Sequence, residues 1–463
     1  MRDEAEKISQ KILDTYKGKT PGSSGHQEKA ARYLPGGDTR TATYFAPYPV
    51  YMERGRGCYL YDVDGNAYLD MLGNYTSLIH GHAFPAIVEA IRRQALSGTV
   101  FGSAGAIQYL HAEHLCSRIP GMKMVRYCNS GTEATLFVIR AARAFTGKDG
   151  IIKIDGGYHG GHDLAEVNIV PDTETDGPPR PSVRAGVPAS VLQEVRVAPF
   201  NDLAAVACLL EKDADRIAAI IVEPVLGAGG VIPAQEGYLA GLRELADRFA
   251  VLLIFDEVIT LRLSTGGMQK LARVTPDLTS LGKIIGGGLP VGAFGGRSDI
   301  MARFDPAHPQ AVFHSGTFNA ANMVMAAGLS ALQALDKAAI DRINTLGERL
   351  KKGFNDAFKQ VGLRGQATGI GSLNQVHWCD SPLNNARATG RALAAAGELP
   401  SLLHLAMMNH GIYSAKRGMF VISTPMNDEE IDKATAAFAE ALDMLKPYIA
   451  ARFPHLVAEG KNV

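Results

Sequence analysis

At 463 residues the chain exceeds a usual single domain, and its 46% hydrophobic and 20% charged residues fit a globular protein of two or three domains with a sizeable core. A formal net charge of zero gives no electrostatic footprint for nucleic acid or an anionic membrane, and no apolar run approaches a membrane span. The charged start, Met1 to Lys7, lacks an apolar h-region, so no secretory signal and a cytoplasmic enzyme are expected.

In chain order, residues 4–17 carry an amphipathic helical pattern, followed by a loop and strands near 50–53 and 58–60. Asp62-Val63-Asp64-Gly65-Asn66 has the chemistry of a hairpin turn and lacks the rest of a calcium loop. From about 76 to 330, helical and extended runs alternate: 109–119 helical, 124–128 extended, 133–146 helical, 151–154 and 217–222 extended, 238–248 helical, 251–255 extended. Such alternation predicts an α/β domain with a mostly parallel sheet and helices on both faces. Residues 171–188, rich in Pro and Gly, read as a surface loop or lid. Beyond 330, helices at 341–360 and 428–448 with strands at 373–378 and 420–423 predict a smaller α+β domain. The division expected is 1–75, an N-terminal segment contributing to the small domain and the active site; 76–330, the large domain; and 331–463, the small one.

Three motifs carry chemistry. Lys283 lies in Leu281-Gly282-Lys283-Ile284-Ile285-Gly286-Gly287-Gly288, where a glycine loop gives a long charged stem little packing reason. Asp256 closes an apolar strand and calls for a cation. Asn129-Ser130-Gly131-Thr132-Glu133 opens an Ala-rich helix, whose free N–H groups favour an anion, although Ser130 and Glu133 also fit an ordinary capping box. Amine, carboxylate and anion cradle together suit pyridoxal phosphate, which needs a lysine for its aldehyde, an acid for its pyridine nitrogen and a phosphate site. Ser130, Tyr158, Glu223, Asp256 and Lys283 are all expected beyond the carboxyl ends of strands, where ligands of such sheets bind. The five cysteines, Cys58, Cys116, Cys128, Cys208 and Cys379, show no C-x-x-C pair and are expected to be buried free thiols. His80-Gly81-His82 and His159-Gly160-Gly161-His162-Asp163 could be read as metal ligands, but no further cluster completes them, and no metal is expected.

On these residues the chain resembles the class III aminotransferases of the fold type I pyridoxal phosphate enzymes, the group holding glutamate-1-semialdehyde aminomutase and the β-phenylalanine aminotransferases. The likeness runs from about Tyr33 to the C-terminal region and is most specific at 129–163, 221–230, 254–296 and 314–319. It implies that Lys283 takes the cofactor aldehyde and then shuttles a proton, that Asp256 protonates the pyridine nitrogen, and that Ser130, Gly131 and Thr132 hold the phosphate. Tyr158, with His159 beside it, and Val258 would contact the ring, and Glu223 would lie near its phenolic oxygen. Thr317, in His314-Ser315-Gly316-Thr317-Phe318, would reach the phosphate of a neighbouring subunit, implying a homodimer with shared sites.

Arg40, in Leu34-Pro35-Gly36-Gly37-Asp38-Thr39-Arg40, resembles the arginine that binds the substrate carboxylate in β-phenylalanine aminotransferases. Arg417, in Ile412-Tyr413-Ser414-Ala415-Lys416-Arg417-Gly418, resembles their second arginine, for the distal carboxylate of the acceptor. The aminomutase pattern has a Ser-Pro pair and a later arginine where this chain has Thr39-Arg40-Thr41. Tyr44, Phe45, Tyr75 and Met408 are candidates for an aromatic pocket. The expected activity is ping-pong transfer from a β-amino acid to 2-oxoglutarate or pyruvate. The alternatives are a 2,1-aminomutase, an ω-amine or α-amino acid transaminase, and a non-catalytic binding protein on the same fold.

Overall fold

The computed structural model describes residues 2–458; Met1 and residues 459–463, the two ends of the expected outer segments, lie outside the described residues. The strands in chain order are β1 (Met52–Arg56), β2 (Tyr59–Asp62), β3 (Ala67–Asp70), β4 (Met124–Cys128), β5 (Gly150–Ile154), β6 (Val195–Ala198), β7 (Ile217–Val222), β8 (Val225–Leu226), β9 (Ile232–Pro233), β10 (Leu252–Asp256), β11 (Leu278–Gly282), β12 (Gly292–Gly296), β13 (Gln366–Ile370), β14 (Leu373–His377), β15 (Ile412–Tyr413) and β16 (Met419–Val421).

The main sheet has seven strands in the order β4-β12-β11-β10-β7-β5-β6. Strand β12 is antiparallel to both neighbours, while β11, β10, β7, β5 and β6 pair in parallel. Its central strands are buried along their whole length, which explains their unbroken apolar runs. Alternate residues feed two cores. Ile221, Ile254 and Leu278 pack under Val138 and Ile139 of helix Gly131–Thr146, whereas Ile220, Val222, Leu253 and Phe255 pack against Leu210, Leu239 and Leu242 on the opposite face. The α/β layering and the mostly parallel sheet are as expected.

The first and last parts of the chain share a sheet, since β15 pairs in parallel with β3, Ile412 opposite Leu69 and Tyr413 opposite Asp70. Helix Arg2–Lys19 packs on helices Leu399–Asn409 and Asp428–Arg452, and helix Lys337–Val361 packs on Asp428–Arg452 and on β13. Among the described residues no single helix is long and apolar enough to cross a membrane.

Some local expectations fail for physical reasons. A loop was expected after the first helix, yet Pro21–Ala30 is helical. Its Gly and Ser residues are weak helix formers, but Asp64, from the 62–66 turn, accepts the N–H groups of Gly22 at 2.6 Å and Ser23 at 3.0 Å, so a distant carboxylate caps this helix. Among the cysteines, all free, Cys58 and Cys128 are buried but Cys208 is exposed on helix Leu203–Asp213. Phe45 and Met408 are core residues at 4% and 2% exposure, with Phe45 edge-on to His404, so they line no open pocket.

Candidate active site

Chain direction and strand order bring the predicted site residues to one edge of the sheet. Ser130 follows β4, Tyr158 follows β5, Glu223 follows β7, Asp256 ends β10 and Lys283 follows β11, so four of these strands, β11, β10, β7 and β5, are direct neighbours. Lys283 has φ 51°, a left-handed conformation unusual for a side chain with a Cβ, and opens the short 3-10 turn Lys283–Gly286. Burial lowers its amine to about 8, against the opposing pull of Asp256 and Glu223. It is therefore a base whose neutral form is accessible near neutral pH.

Asp256 Oδ2 accepts the ring N–H of His159 Nδ1 at 2.7 Å, and both side chains are buried. The other ring nitrogen, His159 Nε2, is buried without a partner, as is Ser280 Oγ on β11. The Asp256 backbone turn is closed by Val258 N–H donating to Oδ1 at 3.2 Å. Glu223 accepts Tyr158 N–H at 2.9 Å through Oε2 and Gly227 N–H at 3.1 Å through Oε1, and burial holds its carboxyl above the usual range. Tyr158 itself is half exposed.

The anion end is the N-terminus of helix Gly131–Thr146, whose first N–H groups have no partner within the helix. Ser130 Oγ caps it by accepting Glu133 N–H at 3.2 Å, while Glu133 Oε2 reaches back to Asn129 N–H at 2.6 Å, one residue short of a true capping box. The 156–162 loop closes over this end: Thr132 Oγ1 accepts Gly161 N–H at 3.2 Å, and a Cβ on Gly160, whose φ is +94°, would stand 2.6 Å from Thr132 Cα, so glycine is required there. Val258 wedges between the two anchors, because a Cβ on either Gly131 or Gly282 would stand 3.4 Å from its Cγ1.

Arg40 and Arg417 lie on opposite chain segments yet both act electrostatically on Tyr75. Arg40 is exposed, and its Nη1 donates to Asn74 Oδ1 at 2.7 Å. Arg417 is part-buried; Nη1 donates to the Ala228 carbonyl at 3.4 Å, Nη2 lies 3.2 Å from Met419 Sδ, and Nε has no partner. Among the described residues neither arginine has a carboxylate partner, unlike an ordinary surface ion pair. Thr317 is exposed, between Phe313 at 84% and Phe318 at 60% exposure.

The histidines read as possible metal ligands have other partners. His80 contacts Thr424 Oγ1 and the Ala331 carbonyl, both at 2.9 Å, and His82 meets Asp70 at 2.7 Å. Residues overlooked in the sequence also emerge. Lys153, fully buried in β5, donates to the Gly157 carbonyl at 2.6 Å, and burial lowers it to about 8 despite Glu223, Asp155 and Glu166. A charged residue inside Ile151-Ile152-Lys153-Ile154 was the signal. Asn74 gave none, and Tyr75 was expected only as part of an aromatic pocket.

The class III aminotransferase family model matches residues 42–442. The chain belongs to the class III aminotransferases. Among relatives of this aminotransferase, a glutamate-1-semialdehyde 2,1-aminomutase of Methanothrix thermoacetophila is 40% identical over 78% of this chain and 83% of its own. A β-phenylalanine transaminase of Variovorax paradoxus is 38% identical over 93% of this chain and 95% of its own. The crystal structure of an ω-transaminase from Sphaerobacter thermophilus superposes with a TM-score of 0.88 at 43% identity, covering 92% of this chain and 98% of that one. The enzyme is thus a pyridoxal-phosphate-dependent aminotransferase. Its residues suit that cofactor: a part-buried lysine with a depressed pKa, a buried carboxylate braced by histidine, orphaned polar atoms at His159 Nε2 and Ser280 Oγ, and a capped helix N-terminus for phosphate.

Proposed function

We propose that this aminotransferase moves the amino group of an aryl β-amino acid to 2-oxoglutarate or pyruvate. The observation that carries the reading is the pair of guanidiniums, Arg40 and Arg417, both acting electrostatically on Tyr75 and neither matched by a carboxylate among the described residues. A part-buried guanidinium bound only to a carbonyl and a thioether is short of an anion, and a planar carboxylate suits its fork. On this reading Arg40 binds the donor carboxylate and Arg417 the distal carboxylate of a dicarboxylic acceptor.

Pyridoxal phosphate, when bound, supplies the electron sink that lets a proton leave the amine-bearing carbon. Lys283 Nζ, neutral above about pH 8, takes up that proton and returns it. Asp256, held by His159, would hold a proton on the pyridine nitrogen, and Glu223 would lie towards the phenolic oxygen. Gly131 and Thr132 N–H groups, with Ser130, would hold the phosphate, and Tyr158 and Val258 would bound the ring. The exposed Thr317, with its exposed phenylalanine neighbours, supports a homodimer in which Thr317 of the partner subunit completes the phosphate site.

The test is a half-reaction titration of holoenzyme, following the cofactor absorbance with β-phenylalanine, an α-amino acid, a simple amine and an amino-aldehyde added separately without acceptor. Bleaching by β-phenylalanine, reversed by 2-oxoglutarate or pyruvate, is expected; bleaching only by amines or α-amino acids would discard the β-amino-acid reading. The 40% identity to an aminomutase supports a second reading, intramolecular exchange, which predicts turnover of the amino-aldehyde with no acceptor present.

A further inference from the structure

Arg262 carries a charge that meets no opposing charge among the described residues. It is 1% exposed, in the 3-10 turn Thr260–Leu263 a few residues beyond Asp256. Its nitrogens reach neutral oxygens on three separate stretches of chain: Nε donates to Ser372 Oγ at 2.9 Å, Nη1 to the Thr76 carbonyl at 3.5 Å and Nη2 to the Ile422 carbonyl. With desolvation as the only influence, its pKa falls to about 9. An apolar side chain of similar volume would fill the same space without that penalty. What an apolar chain cannot do is satisfy the three oxygens.

The Thr76 carbonyl ends an unusual turn. Asn74, Tyr75 and Thr76 have φ of 47°, 53° and 76°, three consecutive left-handed residues with side chains. Such a run persists only where its surroundings impose it. At its near end Asp70 Oδ1 accepts the N–H groups of Leu72 at 3.0 Å and Gly73 at 2.9 Å; at its far end stands Arg262. The turn serves the substrate side directly, since Asn74 Oδ1 holds Arg40 Nη1 at 2.7 Å and the Tyr75 hydroxyl donates to the Ala42 carbonyl.

We propose that Arg262 is a positioning residue for the donor carboxylate: by gripping the 74–76 turn it fixes Asn74, and through Asn74 the guanidinium of Arg40. The proposal rests on the assignment of Arg40 made above. Arg262 touches no reacting atom in this role, and its effect should follow the carboxylate of the substrate rather than its amine.

The experiment compares Arg262→Met, Arg262→Lys, Asn74→Ala and Arg40→Ala holoenzymes in the half-reaction with a β-amino acid and with the amine of the same skeleton lacking the carboxylate, alongside thermal melts. Arg262→Met and Asn74→Ala should each raise the donor KM about tenfold while leaving the carboxylate-free amine unaffected. Arg262→Lys should recover part of the loss, and Arg262→Met added to Arg40→Ala should bring no further rise. Equal losses on both substrates, or additivity with Arg40→Ala, would mean that Arg262 serves the fold alone and overturn the proposal. Should Arg262→Met fail to fold, Asn74→Ala decides, and an unchanged donor KM in it overturns the proposal. Arg40→Ala with an unchanged donor KM removes the Arg40 assignment itself, and the proposal with it, without reference to any Arg262 variant.

Discussion

At the cofactor end, Asp256, Glu223 and Lys153 are buried, sit on or directly after strands of the main sheet, and each meets a hydrogen-bond partner within 3 Å. At the substrate end, Arg40 is exposed, Asn74 and Tyr75 occupy a left-handed turn, and Arg417 arrives from the far end of the chain. One end is set by strand order and the other by loops tied across long separations. On the proposed reading, the chemistry of transamination belongs to the sheet and the choice of substrate to loops that can vary without disturbing it.

Four experiments would break or sharpen that contrast. The largest effect is expected at the rigid end: Lys283→Ala should lower turnover by about 10⁴-fold or more, measured in single-turnover reactions, because proton shuttle and covalent anchor vanish together. Retained turnover would remove the lysine from the mechanism. Next is acid. Burial lowers His111 and His377 to about 4 and His404 to about 3. Since these folded-state values lie below the unfolded 6.5, the unfolded chain binds more protons between them; stability is full above about 6.5 and falls as pH drops towards 4, by about 3 kcal/mol per histidine. Denaturant melts across that range should show the fall, and a flat profile would contradict the burial.

Arg40→Ala comes third, with a donor KM raised roughly 10- to 100-fold, the loss of a charged hydrogen-bonded contact, and no change for an amine without a carboxylate. Equal effects on both would mean that the loop end shapes the cofactor site after all. The smallest is Ser130→Ala, expected to cost about 1 kcal/mol in apoenzyme melts through the lost helix cap. A larger loss appearing only with cofactor present would mark a direct phosphate contact.

Legibility in the sequence divides along the same line. Asp256 closes an apolar run, and Lys283 and Ser130 follow strand-like ones, so their placement at one sheet edge could be anticipated from chain direction alone. Helix Gly131–Thr146 was visible for the same local reasons. Arg262 could not be read this way, because its acceptors lie 110, 186 and 160 residues away. Helix Pro21–Ala30 was missed likewise, its cap being a carboxylate some 40 residues on. Phe45 and Met408 look alike in sequence whether they line a pocket or a core, and only packing tells which. Lys153 was legible and overlooked.

The reversed strand β12 has a consequence of its own. Cys128, Gly292 and Gly282 lie in register across β4, β12 and β11, yet a Cβ on Gly282 would stand only 3.7 Å from the Cα of Gly131, so the helix start after β4 and the lysine turn after β11 lean together over the end of the strand between them. That closure depends on Gly292: a Cβ there would stand 1.9 Å from the Ser130 carbonyl oxygen, so any side chain on this strand end would pry the helix start away from the lysine turn.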